Sequence, residues 1–173
     1  MESSILDFDH KIIAIDSSNC TFTSDGKCNF YMNLDTPLRN VYKIKIITIL
    51  INIQNSNDTY NKNLESIYID LNNYKRLIAN SSLDDNKRNN IYYFDSLIVE
   101  SAVASGVSAT STIKNDYNNA DIEYYLNPIE PQLTRFTVRL FDNKNNLITQ
   151  ENTINRFVMK LGIYYNNKKT TRI

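Results

Sequence analysis

Hydrophobic and polar positions in this chain alternate mostly in twos. Asn29–Leu34 sets Phe30, Met32 and Leu34 against Tyr31 and Asn33, the period of a half-buried strand. Leu133–Phe141 repeats the pattern, with Phe136, Val138 and Leu140 facing in and Thr137, Arg139 and Phe141 opposite. Asn155–Tyr165 repeats it again with Phe157, Met159, Leu161 and Ile163. Ser66–Leu71 sets Ile67 and Ile69 against Tyr68 and Asp70, and Lys11–Asp16 is a short apolar strand. The longest candidate, Asn40–Ile53, places Ile44, Ile46, Thr48 and Leu50 on one side. Its other side carries Lys43 and Lys45 first, then Ile47, Ile49 and Ile51. That order predicts a strand that enters from an exposed edge and becomes buried on both faces.

Turn and loop residues punctuate these runs. Ser24–Gly26, Asp35–Pro37 and Asp142–Asn146 read as turns or breaks, and Asn52–Asn63, Ser81–Asn90 and Asn115–Asn119 as polar loops. Asn127-Pro128-Ile129-Glu130-Pro131 is a rigid extended connection, because both prolines disfavour helix. Ile91–Glu100 is a further strand, Leu147–Thr149 begins a return strand, and Ser101–Ile113 reads as an edge strand or a loop. Only Asn72–Asn80 has helical spacing, with Tyr74, Leu77 and Ile78 at i, i+3 and i+4 behind an Asn cap. The pattern predicts one all-β domain over 1–173, with 1–9 and 166–173 as flexible termini. An eight-stranded antiparallel jelly-roll sandwich with one short helix fits it, and an immunoglobulin-like sandwich is the rival.

Composition narrows the function. Lys plus Arg and Asp plus Glu are 19 each, so no basic surplus marks the chain for nucleic acid or for an anionic membrane. Roughly one residue in seven is Asn, well above ordinary globular usage, and Ile, Lys and Tyr are also plentiful. These are the residues of A/T-rich codons, so genome bias accounts for them. The polar, acidic start is not an export signal, and the apolar run Val41–Ile53 is too short to span a bilayer. A cytosolic origin without direct membrane insertion is expected, and with it free thiols at Cys20 and Cys28.

No catalytic pattern emerges. The single histidine, His10, has no proposed nucleophile or orienting acid. A calcium loop opening at Asp142 would place Lys144 at a ligand position, Leu147 where Gly is needed and Thr153 where Glu must close it, so a β-turn is the better reading. The three glycines form no phosphate loop. No cofactor, metal or enzymatic activity is expected. Tyr92-Tyr93-Phe94, Tyr124-Tyr125 and Tyr164-Tyr165 each place rings on both faces of a strand. One ring of each group should leave the core, and Tyr suits partly wet interfaces. Tyr93, Tyr125 and Tyr165 are the candidate interface rings. Arg135 and Arg139 are candidate interface cations, with cross-strand ion pairing as the alternative for them and for Arg156.

Three regions in order resemble the single jelly-roll minor capsid and penton proteins of nucleocytoplasmic large DNA viruses. The first is Ile15-Asp16-Ser17-Ser18 with Phe30–Leu34 and Pro37-Leu38-Arg39-Asn40-Val41. The second is Ile67-Tyr68-Ile69-Asp70-Leu71-Asn72-Asn73-Tyr74. The third is Leu126-Asn127-Pro128 with Leu133-Thr134-Arg135-Phe136-Thr137-Val138-Arg139-Leu140-Phe141-Asp142, continuing to Phe157-Val158-Met159-Lys160-Leu161. The family often has Pro and Gly where this chain has Asn143–Asn146. The resemblance implies a structural virion protein, assembled in the host cytoplasm, that packs against the major capsid protein and other capsid proteins or forms a homo-pentamer. A non-catalytic carbohydrate-binding β-sandwich, with Tyr stacking on sugar rings, is the alternative. A cupin enzyme would need a histidine cluster, which one histidine cannot supply.

Overall fold

The computed structural model describes residues 9–24, 26–54, 66–81, 89–98, 110–116, 123–148 and 154–167. Ten strands run through them: β1 (Asp9–Asp16), β2 (Thr21–Phe22), β3 (Asn29–Gln54), β4 (Ser66–Leu71), β5 (Leu77–Ser81), β6 (Asn89–Tyr93), β7 (Asp95–Ile98), β8 (Thr110–Asp116), β9 (Glu123–Phe141) and β10 (Ile154–Tyr165). A single 3₁₀ turn, Ser17–Asn19, follows β1. Eight strands form one antiparallel sheet in the order β1-β10-β3-β9-β4-β7, with β2 and β8 also on β3, and β5 and β6 form a separate ribbon. The protein is all-β, and its curled antiparallel sheet is consistent with the jelly-roll sandwich expected.

Two long strands do the curling. The first part of β3 pairs with β9, from Asn29↔Arg139 to Val41↔Glu130, and its second part pairs with β10, from Lys43↔Tyr164 to Ile53↔Ile154. β9 pairs with β4 at its far end. Each long strand has an irregular stretch where the sheet turns. Leu34–Pro37 of β3 face Thr134 alone, and Leu126–Ile129 of β9 face Tyr42 alone. Pro37 and Pro128 sit inside these stretches, where a missing N–H costs no ladder bond. The expected break at Asp35–Pro37 is thus a corner within one continuous strand. Two wings result, one of β1, β10, the second part of β3, β8 and the start of β9, where Tyr125, Tyr124 and Glu123 pair with Lys43, Ile44 and Lys45, the other of the first part of β3, the rest of β9, β4 and β7. Phe30 on one meets Phe157 on the other, ring centroids 5.7 Å apart, so the wings face each other across the core.

The core follows the alternation. Phe136, Val138 and Leu140 of β9 are fully buried, as are Phe157, Met159, Leu161 and Ile163 of β10. β3 departs from the two-faced burial expected of it. Ile44 and Ile46 are buried, then Ile49 and Ile51, while Thr48 and Leu50 are only half-buried. The pairing jumps from Leu161↔Ile46 to Lys160↔Thr48, so Ile47 is an extra residue. One inserted residue reverses the side-chain phase.

The helix expected over Asn72–Asn80 is absent. Asn72 and Asn73 have φ of 50° and 59°, the paired left-handed residues of a type I′ turn, closed by Tyr74 N–H donating to Leu71 O at 2.8 Å. Asn tolerates this conformation well, and its amide is used here. Asn72 Nδ2 donates to Arg135 O, and Asn72 Oδ1 accepts from Thr137 N–H at 2.6 Å. Leu77 and Ile78 then start β5. The expected strand Ile91–Glu100 is two strands with a bend at Phe94, and Asn115 and Asp116, expected in a loop, end β8. Of the termini, Asp9 belongs to β1. Asn166 N–H donates to Arg39 O, and Asn40 Nδ2 to Asn166 O. The rest of the expected flexible ends, 1–8 and 168–173, lies outside the described residues. So do most of the loops expected at Asn52–Asn63 and Ser81–Asn90, most of Ser101–Ile113, and Thr149 of the expected return strand.

Candidate interaction surfaces

Register places four side chains in a row across the outer face of the first wing: His10 of β1, Tyr164 of β10, Lys43 of β3 and Tyr125 of β9. His10 stacks on Tyr164 with centroids 4.5 Å apart. Lys43 Nζ lies 4.0 Å from the Tyr164 centroid and 5.7 Å from that of Tyr125, within cation–π range of both. Lys43 Nζ also meets Glu123 Oε1 at 2.8 Å, and the Tyr125 hydroxyl donates to Glu123 Oε2 at 2.8 Å. Burial, the largest single influence, pulls the Lys43 ammonium down, but the bond to Glu123 and the charges of Glu123, Tyr125 and Tyr164 together leave its pKa raised. The bonds from Lys43 and then Tyr125 hold the Glu123 carboxyl below its ordinary range. Accepting that bond makes Glu123 the main reason the Tyr125 phenol is raised.

The candidate rings separate. Tyr125 is 63% exposed. Tyr93 is 3% exposed, a correction to its reading as an interface ring. It lies over the outer face of β4 and β9, stacked on Tyr68 at 4.7 Å and tilted against Phe141 at 5.5 Å. Its hydroxyl donates to Asn145 Oδ1, and burial raises its pKa to about 12. The exposed ring of that group is Tyr92, which pairs with Ile78 across the β5–β6 ribbon. Tyr165 packs against the core, and its neighbour Tyr164 takes the outward place.

Arg139 and Arg156 follow the ion-pair alternative, and Arg135 does not. Arg139 Nη2 meets Asp70 Oδ2 at 2.6 Å and donates to Asn73 Oδ1. Asp70 also accepts the Asn73 N–H, so this buried carboxylate is well satisfied. Arg156 closes on Asp16 at 2.5 Å, and the Asp16 pKa falls to about 2, chiefly through that bond. Arg135 stays exposed, its guanidinium 5.7 Å from the Tyr31 centroid. Arg76, which sequence reasoning passed over, pairs with buried Asp95 at 2.8 Å.

The remaining chemistry is structural. Asp142 Oδ1 accepts from Lys144 N–H and Asn146 N–H, and Asn145 has φ of 63°, a closed β-turn as expected. Cys20 and Cys28 are free thiols, raised by burial to about 11 and about 12. Among the described residues no group of His, Cys, Asp or Glu is placed to hold a metal ion, and no helix is long and apolar enough to cross a membrane. No family model matches the chain, and no curated protein matches it.

Proposed function

We propose that the protein is a structural virion component, a capsid-building jelly roll of the penton or minor capsid type. In this reading it is assembled in the host cytoplasm and contacts the major capsid protein of a large DNA virus. The observation that supports it best lies at the two ends of the main sheet. Edge strand β1 carries Ile12 at 59% exposure, and edge strand β7 carries Ile98 at 75%. Exposed isoleucines at both edges suit lateral packing between neighbours in a shell, where each subunit meets others on two sides. The exposed Ile78–Tyr92 pair adds a further apolar spot.

Mass spectrometry of purified virus particles, with sizing of the purified full-length protein, tests this. The chain is expected in the particle, and as a pentamer or a partner-dependent complex in solution. Ile12→Lys with Ile98→Lys should reduce the complex to monomer without unfolding it. A protein that is strictly monomeric and absent from the particle overturns the reading.

A further inference from the structure

The two ends of the main sheet match each other. From β1 through β10, β3, β9 and β4 to β7 every step is antiparallel. Five such steps make the first and last strands run in opposite directions. A second copy related by rotation about an axis along the strands would therefore bring its β7 antiparallel to β1. The faces agree as well. Ile13 and Ile15 of β1 point into the core, with Ile12 and Ala14 outward. On β7 Leu97 points into the core, with Ser96 and Ile98 outward. Among the described residues β1 has only β10 beside it in the sheet, and β7 only β4. Edge strands offer a row of N–H and C=O groups to a further strand. Antiparallel strands that share their faces offer those groups on residues that meet.

We propose that β1 of one copy pairs antiparallel with β7 of the next, carrying one sheet through neighbouring subunits. The inference rests on the assembly reading and names its joint. Side chains set the register, with Ile12 opposite the neighbour's Ile98, Ile13 opposite its Leu97 and Ala14 opposite its Ser96. Exposed isoleucine then meets exposed isoleucine, one core residue flanks another, and two small outward residues meet. A shift of two residues either way separates the isoleucines. Asp95 falls opposite Ile15 and keeps its own partner, Arg76, at 2.8 Å. Pairing of β1 with itself about Ile12 would set Lys11 against buried Ile13 and Asp9 against buried Ile15, and would leave Ile98 uncovered. A joint between unlike edges also propagates, and it closes into a ring where the rotation closes.

Two single variants of the full-length protein, Ala14→Cys and Ser96→Cys, test the joint, because directly opposed positions lie within disulfide reach. Mixed under mild oxidation, they should form a dimer linked between the two new cysteines, as located by peptide mapping. Neither variant should link to itself through its new cysteine. Hydrogen exchange on the unaltered chain gives a second reading. Amides in Ile12–Ala14 and in Ser96–Ile98 should gain protection together as concentration rises. A chain that assembles with neither the mixed link nor that protection overturns edge pairing and leaves the capsid reading standing. Linking of Ala14→Cys to itself overturns it in favour of like edges meeting. A protein that stays monomeric and is absent from virus particles overturns both.

Discussion

Arg139 crosses from β9 to β4 and holds Asp70 with two nitrogens, Nε at 2.7 Å and Nη2 at 2.6 Å from the same Oδ2. The carboxylate is 8% exposed and the guanidinium 36%, so one partner is buried and the other half in water. Removing the arginine leaves the buried charge with only the Asn73 N–H. Arg139→Leu should therefore cost about 2 kcal/mol in urea unfolding, and Asp70→Asn less, because the amide still accepts. Equal losses from the two would show that packing, not charge, holds this joint.

Asp16 and Arg156 set an acid-sensitive contribution. The Asp16 carboxyl is depressed in the folded state from 3.8 to about 2. Its stabilisation is full above the unfolded value and fades as pH falls through about 2. The gap between wild type and Arg156→Met should be constant from neutral pH down to the unfolded value, then close. Because the arginine is half exposed, solvent screens the pair and the gap should be small. A gap that persists at pH near 2 would contradict the assignment.

Gly162 makes room for His10. A methyl group there would lie 3.0 Å from His10 Nε2, so Gly162→Ala should push the imidazole off Tyr164 at a cost of about 1 kcal/mol. In a His10→Ala background the same change should cost little. Thermal unfolding of the four proteins measures the coupling, and simple additivity would deny the contact.

The two thiols should be poor nucleophiles in the native protein. Burial raises Cys28 to about 12 and Cys20 to about 11, and the thiolate is the reactive form. Iodoacetamide at mildly alkaline pH should label both slowly, Cys28 more slowly still, with fast labelling of both in guanidinium. Rapid native labelling of Cys28 would mean that the core opens there.

Strand identity was legible wherever one face is apolar and the other polar. Phe157, Met159, Leu161 and Ile163 declare their side in the alternation alone, and all four are fully buried. Alternation could not reveal the extra residue at Ile47, because isoleucines stand on both sides of it. The spacing of Tyr74, Leu77 and Ile78 mimicked a helix, yet the preceding Asn72-Asn73 turn fixes the path through hydrogen bonds to β9, more than sixty positions away. The alternation points Tyr93 outward, and it does leave the core, but the sheet's outer side at Tyr68 and Phe141 receives it. The row from His10 to Tyr125 joins four strands from distant parts of the chain, and no local pattern encodes such a register.

The passage of β3 through both wings bears on how the protein is made. Apart from the two residues of β2, every strand that pairs with β3 begins at Thr110 or later. During synthesis the most isoleucine-rich stretch of the chain therefore leaves the ribosome well before its ladder partners exist. Long-range pairing of this kind is slow, and an unpaired apolar strand is open to wrong neighbours. Nascent chains stalled before residue 110 should be held by chaperones or aggregate, and release from that state should require emergence of β9 and β10.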